Sequence, residues 1–133
     1  MSERIPFGAH WLQFEPGPLV CIWFHGQVSL CDSELLVQLI KDHLGQHRFF
    51  VIADSSQSGG MEPAARKHQI KWLGAGQLSG VAFISSNLMI RTLATLMHNA
   101  HRLVSGNKMP LLFCRDDAEA RAWIARQMQL EAD

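Results

Sequence analysis

The chain has 133 residues, 47% hydrophobic and 18% charged, which is enough apolar material for one globular domain with its own core. Twelve Lys and Arg balance twelve Asp and Glu, so no net field draws the whole molecule to nucleic acid or to an acidic membrane. This composition excludes a disordered tail, a collagen and a disulfide miniprotein.

The opening MSERIPFGAH lacks the long apolar segment of a secretion signal, and the longest apolar run, Leu19 to Phe24, is far short of the roughly 18 to 20 residues of a spanning helix. The three cysteines, Cys21, Cys31 and Cys114, show neither a CxxC nor a disulfide rhythm, which points to a reducing cytoplasm. Strand patterns run from His10 to Glu15 and from Leu19 to His25, and the turn Pro16-Gly17-Pro18 makes them an antiparallel pair. Trp11 and Trp23 pack that hairpin. Ser29 and Asp32 then form a capping-box start before Leu35, Leu36, Leu39, Ile40 and Leu44, with Gly45 as the stop of this first helix.

Phe49 to Ala53 is apolar without alternation, as in a central strand covered on both faces. Asp54 to Gly60 reads as a polar loop, followed by a second helix from about Glu62 to Leu73 with Pro63 in its first turn. Val81 to Ile84 is another strand, Asn87 to Val104 a long helix, and Pro110 to Cys114 a last strand. Asp116 and Glu119 repeat the capping pattern before Ala120, Trp123, Ile124 and Met128, which coat one face of a closing helix. Trp72 and Trp123 are core anchors. About five strands and four helices in this order predict an α/β fold with a mixed, mostly parallel sheet, a single domain over 1–133 with its core at about 10–130.

In its order of elements, and in the stretches VIADSSQSGGMEPAARK, LSGVAFISS, IRTLATLMHNAHRLV and PLLFCRDDAEARAWI, the chain resembles the STAS-like domains. These include the SpoIIAA-like anti-anti-sigma factors and small bacterial proteins grouped with lipid-binding CRAL-TRIO relatives. The resemblance covers roughly Leu19 to Met128. It implies a non-catalytic, cytoplasmic interaction module that acts on a protein partner or on itself as a homodimer. In the anti-anti-sigma branch, a serine in an Asp-Ser-Ser-Gly element is phosphorylated as a switch. Here Asp54-Ser55-Ser56 matches, and Gln57 stands where the glycine would be. The CRAL-TRIO side of the resemblance implies instead a carrier of a fatty or isoprenoid ligand, held between helix 87–104 and the sheet.

The residues themselves suggest a regulatory or binding loop of Asp54, Ser55, Ser56, Ser58, Gly59 and Gly60, at the carboxyl end of a strand and the amino end of a helix, where free amides and the helix dipole favour phosphate. A purely structural role there has Ser58 capping the helix and the glycines supplying positive φ. Arg66, Lys67, Lys71, Arg91 and His98 form a candidate interaction surface. It lacks the aromatic platforms and net charge of a nucleic-acid site.

His43 and His47, like His98 and His101, have helical spacing, but no third ligand motif accompanies them, so neither a metal nor another cofactor is expected. Gly74-Ala75-Gly76 opens like a dinucleotide loop without its third glycine and without a preceding strand. An enzyme would need a deep pocket bringing Cys31, Cys114 or a histidine pair beside a carboxylate. The long helix is apolar over more than one stripe, including Leu88, Met89, Ile90, Leu93, Leu96, Met97 and Leu103. Core burial is the expected explanation, with a second contact surface as the alternative.

Overall fold

The structure, a computed structural model, describes residues 3–73, 77–85, 87–105 and 109–132. Among the described residues six strands and four helices follow in the order β1 (Ile5–Phe7), β2 (His10–Glu15), β3 (Leu19–Val28), α1 (Leu30–Leu44), β4 (Phe49–Met61), α2 (Pro63–Leu73), β5 (Leu78–Ile84), α3 (Leu88–Ser105), β6 (Leu111–Cys114) and α4 (Asp117–Ala132). The α/β class and the four helices agree with the sequence reading. The strand count is slightly higher than the five or so expected, because Ile5–Phe7 adds an edge strand paired antiparallel to β2. Three residues broken by Pro6 are too few to show any period. The Gly74–Gly76 stretch lies outside the described residues.

The sheet order follows chain order, β1 to β6, antiparallel through β3 and parallel from β3 to β6. With right-handed crossovers, such an order places every connecting helix on one face of the sheet. Accordingly α1, α2 and α3 share a face, while α4, which connects no strands, packs on the other. Alternation along β4 supplies both layers. Phe49, Val51 and Ala53 join a core with Leu36 and Ile40 of α1 and Ala65 of α2. Phe50 and Ile52 join a second core with Ala120 and Ile124 of α4. The unbroken apolar run in the sequence is therefore a strand buried on both faces.

Helix α1 starts as its sequence dictates: the Asp32 amide donates to Ser29 Oγ and the Ser29 amide to Asp32 Oδ2, both at 3.1 Å, and Gly45 closes the helix with φ of 60°. Asp32 also meets His10 Nε2 at 3.1 Å, and the wholly buried His10 accepts the His25 amide on Nδ1 at 2.9 Å. That acceptor role places the proton on Nε2, facing Asp32. Burial raises the cost of the Asp32 charge, but hydrogen bonds from Ser29 and His10 outweigh it and hold the carboxyl below its usual range.

Candidate functional site

The segment read as a polar loop is strand. Residues 54–61 continue β4 alongside β3, with Trp23 opposite Asp54, His25 opposite Gln57, Gly26 opposite Ser58 and Val28 opposite Met61. Between these pairs β4 twice places two residues against one of β3, so the ribbon carries two bulges. The glycines serve them: a Cβ on Gly59 would stand 3.1 Å from the Gln27 nitrogen, and Gly60 has φ of 95°. Serine and glycine punctuation looks the same in a bulged ribbon and in a loop.

This placement removes the anion site expected from the helix dipole. Ser56 precedes the start of α2 by seven residues of extended chain, roughly 20 Å at strand pitch. Ser58 does not cap α2 but accepts the Gly60 amide at 3.1 Å. Ser55 is buried and Ser58 half-buried, whereas Ser56 is exposed with its hydroxyl donating to Asp54 Oδ1 at 2.6 Å.

Between the sheet and the layer α1–α2–α3 lies a cavity of about 110 Å³. Its floor comes from β3, β4 and β5, including Ile22, Val51 and Phe83, and its roof from Leu93, Ala94 and Met97 of α3. The wall is overwhelmingly apolar. Trp72 Nε1, on a side chain that lines the cavity, is buried without a hydrogen-bond partner among the described residues. An orphaned indole donor costs free energy unless an acceptor reaches it.

Gln69, which also lines the cavity, is engaged. Gln69 Nε2 donates to Ser33 Oγ at 2.6 Å, and Ser33 Oγ lies 2.7 Å from His68 Nδ1. A serine beside a histidine has the spacing of a nucleophile and its base. Ser33 is fully buried and already bonded to Gln69, so this cluster instead locks α1 to α2. Neither cysteine nor carboxylate lines the cavity among the described residues.

Of the candidate surface residues, Arg66, Lys67 and Lys71 lie together on α2, and Arg91 lies on neighbouring α3 with its guanidinium 4.8 Å above the Phe113 ring. His98 departs from that set. It turns inward, its Nε2 reaching the Met109 carbonyl at 2.6 Å while the ring lines the cavity. His43 stacks on Phe14 with ring centroids 3.8 Å apart, and the His101 side chain lies outside the described residues. No group of three His, Cys, Asp or Glu side chains converges among the described residues.

Core burial does not account for all of α3. Ile90 and Ala94 are buried, but Leu88, Met89, Leu96 and Leu103 are 60 to 88% exposed. On the opposite face of the sheet, Arg121 of α4 forks onto Glu15 at 2.7 and 2.9 Å and also binds Asp117 at 2.6 Å. The guanidinium holds the Glu15 carboxyl down at about 2. Burial, aided by the adjacent Glu15 charge, pushes the Cys21 thiol up to about 12. Sequence reading missed this cluster, because Glu15 and Arg121 are 106 residues apart.

No protein-family profile and no curated protein matches the chain. Among solved structures, it is similar to an uncharacterised protein of the DUF3478 family from Shewanella loihica PV-4, described as having a SpoIIAA-like fold. The two share 14% sequence identity with a TM-score of 0.60, over 92% of this chain and 91% of the other. The fold is SpoIIAA-like. That agrees with the STAS-type architecture read from the sequence, and the SpoIIAA-like sheet is here the floor of the apolar cavity. No helix among the described residues is long and apolar enough to cross a membrane.

Proposed function

We propose that this SpoIIAA-like domain is a non-catalytic binding module whose ligand is a small hydrophobic molecule held between α3 and the sheet. The observation that carries the reading is the apolar cavity of about 110 Å³ roofed by Leu93, Ala94 and Met97. Apolar voids of comparable size, about 150 Å³, take up benzene. The cavity as it stands therefore suits one ring or a short branched chain, and a longer acyl chain requires α3 to move outward. An acceptor atom on the ligand would satisfy Trp72 Nε1. Native mass spectrometry of protein purified from its own host, followed by organic extraction, tests this reading. One apolar compound per chain is expected. Protein that carries nothing, and that no small aromatic probe stabilises, refutes it.

A second reading keeps the phosphoswitch and confines it to Ser56, whose exposed hydroxyl is the accessible one of the three serines. Phosphate there would press about two negative charges against Asp54, displacing the present hydrogen bond and changing what this ribbon can bind. Intact mass after isolation is expected to show the added phosphate, lost on Ser56→Ala. A mass always unmodified refutes the switch.

A further inference from the structure

The charges of this chain cancel overall but are not evenly placed. Helices α2 and α3, which pack side by side, contain Arg66, Lys67, Lys71, Arg91 and Arg102 and not one Asp or Glu. None of these five takes part in an ion pair found among the described residues. Lys67 and Lys71, four residues apart, are exposed on the outer face of α2. On α3, Met89, Leu96 and Leu103 recur every seven residues and, with Leu88, form an exposed apolar stripe. Arg91 and Arg102 lie on the flank of that stripe toward β6, where Arg91 covers Phe113. Leu93, at the opposite edge of α3, faces Gly60 at the approach to α2, so the α2 lysines lie on the other flank. The outer surface of α2 and α3 is thus a ridge of large apolar side chains between two rows of cations.

We propose that this surface docks the domain onto an anionic lipid bilayer, with Leu88, Met89, Leu96 and Leu103 entering the interface and the flanking lysines and arginines meeting the headgroups. An in-plane helix binds through apolar side chains on one face and cations beside them, which is the arrangement present here. A second copy of the chain is a poor occupant. A two-fold contact through this face would set cations against cations with no carboxylate on either α2 or α3 to offset them. The docking needs no ligand in the cavity, so it stands or falls apart from the carrier reading.

Cosedimentation with lipid vesicles tests it. The intact chain is mixed at low salt with vesicles of phosphatidylcholine alone, or of phosphatidylcholine and phosphatidylserine in equal amounts. Binding to the mixed vesicles, weakened by added salt and absent from the neutral ones, is expected. The exposed positions allow variants that leave the core intact. Leu96→Ser with Leu103→Ser should abolish sedimentation, and Lys67→Gln or Lys71→Gln should each weaken it roughly fivefold. Circular dichroism confirms that each variant is folded. Three results overturn the proposal: wild type left in the supernatant with both vesicles, equal binding to both, or a dimer in ultracentrifugation that Leu96→Ser dissolves.

Discussion

Replacing Ala94 with leucine puts the cavity itself on trial. Ala94 is buried in the roof and lines the void, so the three carbons added by Ala94→Leu enter empty space. At about 0.8 kcal/mol per buried methylene, the gain is roughly 2.4 kcal/mol. Ordering the new side chain costs about 0.5–1 kcal/mol, which leaves a net stabilisation of roughly 1.5 kcal/mol. For a domain of this size that raises the midpoint of thermal unfolding by about 5 °C. The same change removes room for a ligand. Saturating toluene should raise the midpoint of the wild type by mass action and leave Ala94→Leu unmoved. Thermal unfolding followed by circular dichroism, with and without toluene, measures both effects. A lowered midpoint in Ala94→Leu would mean an overpacked site with no usable void. A toluene shift of the same size in both proteins would place the ligand elsewhere.

Three further outcomes concern the Glu15–Arg121 pair and the cysteines. Arg121→Met strips Glu15 of its fork and should destabilise the fold by about 1–3 kcal/mol, read from urea midpoints; an unchanged midpoint would show that the pair ties nothing together. Because the Glu15 pKa falls from 4.5 unfolded to about 2 folded, its contribution is fully present above about pH 4.5 and is lost as pH drops toward 2. Discounted for the half-open Arg121, that contribution is about 1–2 kcal/mol, and Glu15→Gln should flatten this limb of the stability curve. Finally, iodoacetamide at pH 8 should alkylate exposed Cys31 quickly, while Cys21 and Cys114, buried and with raised pKa values, react only in denaturant; two fast thiols in the native state would contradict their burial.

What the sequence made legible was whatever depends on neighbours in the chain. The Ser29–Asp32 box, the Gly45 stop and the doubly buried run 49–53 are local signals with one physical meaning each. The segment 54–60 was misread because its residues are loop-like by composition, and only β3, continuing through His25-Gly26-Gln27-Val28, gives its backbone a partner. Nothing local reports that partner. The same holds for Glu15 with Arg121 and for Ser33 with His68 and Gln69, where side chains far apart in sequence meet because the sheet brings them together. The basic residues were visible in the sequence, but their alignment on both sides of an exposed apolar ridge depends on α2 lying beside α3.

Helix α3 therefore answers two demands at once, which explains why its sequence is apolar beyond one stripe. Its inner residues Ala94 and Met97 close the cavity, while Leu96 and Leu103 lie outside. Inner and outer side chains are separated by a helix diameter of about 10 Å, far enough for changes at the two faces to act independently. Ala94→Leu should block toluene uptake without altering vesicle binding, and Leu96→Ser should weaken vesicle binding without altering toluene uptake in solution. The double variant should then show the two losses added together. If Ala94→Leu instead changes vesicle binding, α3 does not act as a fixed roof with two separate faces. Filling its inner side would then shift the helix itself, so the bilayer and the cavity would compete for, or share, one movement of α3.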